Sequence, residues 1–319
     1  MTATLDRSQP AGEPDAPRGP KPVIDGTRGI GVQLSVYFGV IAPLVALLVA
    51  VPFAWGWGLS WVDVGVFVAF YAISGLGITV SYHRYFTHGS FKAKQWLRVF
   101  MAIAGSIALQ GPVITWVADH RRHHAFSDRE GDPHSPWLHG SSPLAVARGF
   151  LHAHMTWFFD RDETNQRRFV PDLLADRAVR IVSKTFGIWV AVSLLLPAVL
   201  GGLITWSWEG AVSGFFWGGL VRLAISNHVT WSINSICHMI GERPFRSRDR
   251  SRNFWPLAVL SMGESWHNLH HADPTCARHG VLPGQIDISA AVIRVFERCG
   301  WAHDVRWPTP RRLERLRAG

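Results

Sequence analysis

Three stretches of this chain, Leu34–Trp57, Trp61–Ser81 and Phe186–Trp206, are nearly unbroken runs of apolar residues. Each approaches the ~20 residues that an α-helix needs to cross a bilayer core. A fourth run, Ala211–Asn227, is shorter and carries Arg222. In hydrocarbon every backbone polar group must be bonded within the protein, so such runs are helices. The expected fold is an all-α integral membrane protein with four transmembrane helices in two hairpins. A fifth apolar stretch, Leu97–Trp116, is interrupted by Gln110, Gly111 and Pro112. It reads as interfacial or re-entrant, because backbone breaks at membrane depth are tolerated where protein covers them.

The basic residues set the orientation. No Lys or Arg lies between Arg28 and Arg84, or between Lys184 and Arg222. The links near residues 56–60 and 207–210 are therefore uncharged by Lys or Arg, and Trp55, Trp57, Trp61, Trp206 and Trp208 flank them as an interface belt. Lys and Arg collect on the cytoplasmic side of membrane proteins. Both termini and the segment 84–184 are thus expected in the cytoplasm, around a multi-pass anchor in the cytoplasmic membrane. Residues 1–30, rich in Pro, Gly and charge, read as a disordered tail without a signal peptide, and 31–319 as one domain.

Charged residues make up only 17% of the chain, against about 25% in soluble proteins. The net charge of +9 suits an anionic membrane surface or an anionic ligand. With these apolar runs it does not argue for nucleic acid. Cys237, Cys276 and Cys299 follow no CxxC pattern and read as free thiols.

Nine of the 16 histidines fall in three short groups and one single. HRYFTH holds His83 and His88. HRRHH holds His120, His123 and His124. HNLHH holds His267, His270 and His271, and His238 stands alone in NSICH. On a helix, positions i, i+3 and i+4 share one face. HxxHH therefore presents three imidazoles together, twice over. His83 and His88, five residues apart, lie about 140° apart on an α-helix and meet only if the helix ends or bends between them. Asn234 and His238 share a face. All groups follow apolar runs on the cytoplasmic side. Nine neutral imidazoles suit Zn, Cu, Fe or Ni, and they suffice for two ions at four or five each, with a position left open. Asn234 is placed to hold a water there. Glu264, Asp119 and Asp128 are candidates to fix the imidazole tautomers. His134, His139, His152, His154, His228, His279 and His303 read as ordinary structural or surface residues. A metal transporter would carry ligands near the midplane of its helices; these spans are bare of histidine.

These motifs resemble the three histidine boxes of membrane fatty-acid desaturases. The phrases ITVSYHRYFTHGSF, WVADHRRHHAFSDREGDPHSP, NSICHMIGERPF and GESWHNLHH are most similar to the Δ9 acyl-CoA branch. The resemblance spans roughly residues 30–300. It implies a cytosolic helical cap on the four-helix anchor, with a di-iron centre in the cap. His83, His88, His120 and His270, with a water on Asn234, would hold one iron; His123, His124, His238, His267 and His271 would hold the other. It implies an O2-dependent oxidoreductase that removes one hydrogen from each of two adjacent carbons of a saturated acyl chain, leaving a cis double bond, for unsaturated fatty-acid biosynthesis. An acyl-lipid desaturase, or a di-iron hydroxylase built on the same site, is the alternative. Gln110, Trp116 and Thr230 match positions that line the kinked substrate tunnel, and Asp119 and Arg161 match substrate contacts. The sequence departs from the acyl-CoA pattern at Ala118, where Arg is usual, and at Asp162, where Lys is common. The acyl carrier, a CoA thioester by the nearest resemblance, is thus open to a glycerolipid or a carrier protein. Electrons are expected from a separate ferredoxin or cytochrome b5-like protein with an NAD(P)H reductase. The arginines of Arg243–Arg252 and Arg311–Arg317 offer a docking face for it.

Overall fold

The computed structural model describes residues 22–54 and 58–318. Most of the expected N-terminal tail, together with Trp55 and Trp57, lies outside the described residues. Strand β1 (Ile24–Thr27) leads into α1 (Ile30–Ala54). Helix α2 (Trp61–Leu76) starts at a capping box in which Ser60 and Asp63 satisfy each other's backbone N–H. It continues without a break into a π-helical segment, Gly77–Thr87. After β2 (Lys92–Ala93) come α3 (Gln95–Ser106), α4 (Val113–Phe126), α5 (Pro143–His154) and β3 (Asp162–Thr164). Three short helices, α6 (Gln166–Phe169), α7 (Pro171–Ala175) and α8 (Arg177–Lys184), lead to α9 (Phe186–Thr205). Then α10 (Trp208–Gly214), a second π-helical segment (Phe215–Val221) and α11 (Arg222–Ser235) form one continuous rod. The chain closes with α12 (His267–Ala272), α13 (Ile288–Arg298), β4 (Ala302–His303) and α14 (Pro310–Leu316). The few strands make two antiparallel ribbons, β1 with β3 and β2 with β4.

Among the described residues three helices are long and apolar enough to cross a membrane: Ile30–Ala50, Trp61–Thr87 and Phe186–Thr205. The first and third turn most of their side chains outward, with 22% and 17% buried inside the protein, and the second is 44% buried because its π-helical end enters the centre. Trp61, Trp206 and Trp208 are exposed at the ends away from the histidines, as an interface belt requires. The rod 208–235 is not among them, since Arg222, Ser226, Asn227 and His228 interrupt its apolar run.

The stretch 97–116 is not one helix. α3 ends at Ser106, and Leu109 (φ 57°) and Gly111 (φ 117°) take the left-handed conformation before Pro112 opens α4. The broken end is held by Arg222, which is fully buried. Its guanidinium donates to the carbonyls of Gly218, Ile107 and Ser193 and to Ser193 Oγ, and Ser193 Oγ donates to the Ile107 carbonyl at 2.7 Å. The arginine thus supplies donors to the carbonyl at the end of α3, which has no partner within its own helix. Arg222→Met should leave buried carbonyls short of donors, at roughly 1–3 kcal/mol each. A lowered thermal-unfolding midpoint in detergent is expected; an unchanged midpoint would show that Ser193 alone suffices.

α3 lies directly on the π-helical segment. A Cβ on Gly77 would stand 2.3 Å from the Ala104 carbonyl, and one on Gly105 2.2 Å from the Tyr82 ring. Tyr82 Oη and Ser106 Oγ share a hydrogen bond of 2.8 Å across the same crossing. This contact fixes the depth at which His83 enters the centre of the protein. Cys237 and Cys276 are buried free thiols, and Cys299 is exposed.

Candidate metal centre and acyl cavity

Nine histidines converge in the buried interior below the apolar helices. The first group brings ligand atoms of His83, His88, His120, His124 and His270 within 4.8 Å of one another, and the second does so for His123, His238, His267 and His271. His83 and His88 meet because their helix is π-helical. Its hydrogen bonds span five residues, so residues five apart stack, and their rings lie 5.0 Å apart. The 140° separation expected of an α-helix does not apply.

Each HxxHH box serves both groups. On α4, His120 and His124 turn to the first group and His123 to the second; on α12, His267 and His271 turn to the second and His270 to the first. The reason is angular. Positions i and i+4 differ by about 40° on a helix, whereas i+3 and i+4 differ by about 100°. His124 Nε2 accordingly stands with His120 in this arrangement, whereas the resemblance places it with His123. His238 reaches the second group from a tight turn after α11.

The Nε2 atoms face inward. His83 and His270 approach to 2.9 Å, His270 and His124 to 3.0 Å, and His124 and His120 to 3.2 Å. In the second group His271–His267 is 2.9 Å and His267–His238 is 3.2 Å. Carboxylates hold the other face of four rings. Glu264 meets His83 Nδ1 at 2.6 Å, Asp132 meets His123 at 3.0 Å, Asp128 meets His238 at 3.0 Å and Asp249 meets His271 at 2.5 Å. An Nδ1–H that donates to a carboxylate leaves a bare lone pair on Nε2. The lone pairs of His238 and His271 thus both point at His267 Nε2, and buried Nε2 atoms of His88 and His123 have no partner among the described residues. Facing lone pairs and unpartnered buried nitrogens are what a cation satisfies, and the donor set fits iron.

Electrostatics favours the neutral form of six of the nine rings. Burial, then the neighbouring imidazoles, hold His88, His120, His124, His267 and His270 well below the usual imidazole range. Burial brings His271 down to about 4 although Asp249 pulls the other way. In His123 burial acts downward, but Asp132 overrides it and the net direction is up. Burial would raise the carboxyls of Asp132 and Asp249, but His123 and His271 respectively draw both well down. Glu264 is tied further by Arg84, whose buried guanidinium lies 3.0 Å from Glu264 and 3.0 Å from Asp287.

Beside the histidines lies a cavity of about 200 Å³. His83, His120, His267, Glu264 and Asn234 line it, together with Ile78, Val32, Val36, Trp157, Phe158 and Trp231. Gln110, Trp116 and Thr230 also line it and form one network. Gln110 Nε2 donates to Thr230 Oγ1 at 3.0 Å, and Trp116 Nε1 donates to Gln110 Oε1 at 3.2 Å. Asp119 lines the same cavity, with Arg28 and Glu163, rather than backing a histidine. Arg161 does not reach the cavity; its exposed guanidinium donates to the Arg28 carbonyl at 2.7 Å and steadies the β1–β3 ribbon. Ala118 is fully buried in the core.

Sequence reasoning pointed to Glu264 and Asp128 but passed over Asp132 and Asp249. Asp132 follows its box by only eight residues, in a Gly-Asp-Pro turn that was a usable signal. Asp249 sits among arginines, where a carboxylate reads as a surface ion-pair partner.

The fatty acid desaturase family model matches residues 59–281. The hex-5-enoyl-[acyl-carrier protein] acetylenase of Moorena producens (strain JHB) is 37% identical over 317 residues, covering 98% of each chain. Delta-9 acyl-lipid desaturase 2 of Arabidopsis thaliana is 39% identical over 285 residues, 88% of this chain and 85% of the relative. Acyl-CoA 5-desaturase AL21 of Anemone leveillei is 36% identical over 275 residues, 85% and 78% of the two chains.

Proposed function

The chain belongs to the fatty acid desaturase family, and on that premise we propose that it introduces a cis Δ9 double bond into a saturated acyl chain, with O2 as co-substrate and two iron ions as cofactor. The observation that carries the reading is the juxtaposition of two groups of Nε2 atoms with an apolar cavity whose wall includes His83, His120 and His267. The first group would hold one ion, with Asn234 presenting a water to it, and the second group the other.

Bound iron supplies, with O2, the removal of hydrogen from an unactivated C–H bond, which no side-chain acid or base can accomplish. The rest falls to the protein. Asp132, Asp128, Asp249 and Glu264 hold the rings so that lone pairs face the ions. The aliphatic and indole walls exclude water and hold the acyl chain extended. The Gln110–Thr230–Trp116 network stiffens one wall, so a single pair of methylenes is held near the histidines, and that positioning makes the reaction regiospecific. Trp208–Ser235 serves as the fourth span, with both termini and the histidine end on the cytoplasmic face of the cytoplasmic membrane.

The carrier suggested by resemblance is CoA. Ala118 favours a second reading, an acyl-lipid, because a buried methyl group offers nothing to a CoA phosphate. The test is the fatty-acid profile of cells expressing the protein, with double bonds located by mass spectrometry of derivatives. New 16- and 18-carbon Δ9 monoenes are expected. A hydroxylated product would overturn desaturation while sparing the metal site. Acyl-CoA and acyl-lipid supplied to purified protein then separate the carriers. Thr230→Leu removes the bond to Gln110 and adds bulk to the wall; it should shift the product toward shorter chains or a displaced double bond, and an unchanged profile would remove Thr230 from the tunnel.

A further inference from the structure

Two arginine-rich segments far apart in sequence form one surface. The loop 243–252 and the C-terminal α14 are joined backbone to backbone: Arg246 N–H donates to the Leu316 carbonyl at 2.7 Å, and Ala318 N–H donates to the Pro244 carbonyl at 3.0 Å. Arg246 Nε donates to the Arg317 carbonyl at 2.7 Å. Arg243, Arg246, Arg248, Arg250, Arg315 and Arg317 are all exposed. Of the two carboxylates in these segments, Asp249 turns inward to His271 Nδ1, leaving Glu314, with Glu242 just before the loop, on the outside.

This surface is tied to the second histidine group. Asn268, inside HNLHH, accepts from Phe245 N–H at 2.7 Å and donates to the Ser251 carbonyl at 3.2 Å. Arg243 donates to the Asp249 carbonyl. A hydrogen-bonded route therefore runs from the exposed Arg243 guanidinium through Asp249 to His271.

We infer that this arginine surface docks a small, acidic, one-electron carrier protein and that electrons enter through Asp249 and His271. The inference rests on the desaturase reading. Converting R–CH2–CH2–R′ and O2 to R–CH=CH–R′ and two H2O consumes two electrons and two protons, and the carrier supplies the electrons one at a time. Opposed charge speeds such encounters and makes them sensitive to salt. An anionic membrane face is the competing partner for arginines. The coupling of this loop to a histidine of the centre is what a redox partner uses and a lipid headgroup does not.

The test uses full-length, iron-loaded protein in nanodiscs of uncharged lipid, with an acidic [2Fe–2S] ferredoxin as donor. Arg248→Glu combined with Arg315→Glu should raise the KM for ferredoxin at least ~10-fold and flatten its salt dependence. Iron content, and turnover driven by reduced methyl viologen, should not fall. An unchanged ferredoxin KM overturns the inference, as does turnover that follows the anionic-lipid content of the nanodisc and ignores the substitutions. If wild-type protein gives no desaturated product with either reductant, the desaturase reading fails and takes this inference with it.

Discussion

Alanine at His124 or His267 is expected to abolish turnover and to lower bound iron to about one ion per chain or less, while the membrane anchor stays folded. The two positions test both groups. His124 Nε2 lies between His120 and His270, at 3.2 and 3.0 Å. His267 Nε2 lies between His238 and His271, at 3.2 and 2.9 Å. Each removal opens one group at its centre, and neither side chain belongs to the apolar helices. Iron analysis and turnover on the same preparation check the result, with His303→Ala as an exposed control. Full activity in either group variant would remove the proposed site.

Asp249→Ala carries the second large effect. The carboxylate binds His271 Nδ1 at 2.5 Å, and its loss frees a buried ring to turn its lone pair away from the second group. Partners of this kind typically contribute 10- to 100-fold in metal affinity. A drop of that size is expected in a chelator competition, confined to one of two ions, with Asp132→Ala behaving alike through His123. Wild-type iron retention in both variants would show that these carboxylates do not orient the ligands.

The apolar runs and the histidine spacing carried the helical character of the fold, three of the four expected spans and the convergence of the nine histidines, because membrane length and helical periodicity are written in local sequence. The break at Gln110–Pro112 was legible for the same reason. What escaped depends on things that spacing does not encode. The π-helical turn that joins His83 to His88 follows from close packing of α3 on Gly77. The position of His124 Nε2 beside His120 follows from how α4 is rotated between the two groups. The inward turn of Asp249 is set by a loop anchored on Asn268, and the burial of Arg222 by the broken end of α3. Arg161 lies outside the cavity lining on a backbone carbonyl, a placement that its sequence context does not encode.

The most direct measurement is the iron content of protein purified from iron-replete cells, by elemental analysis against quantitative amino-acid analysis. The nine converging Nε2 atoms predict about two iron ions per chain. Protein that desaturates acyl chains while holding one iron or none would contradict the two-group account.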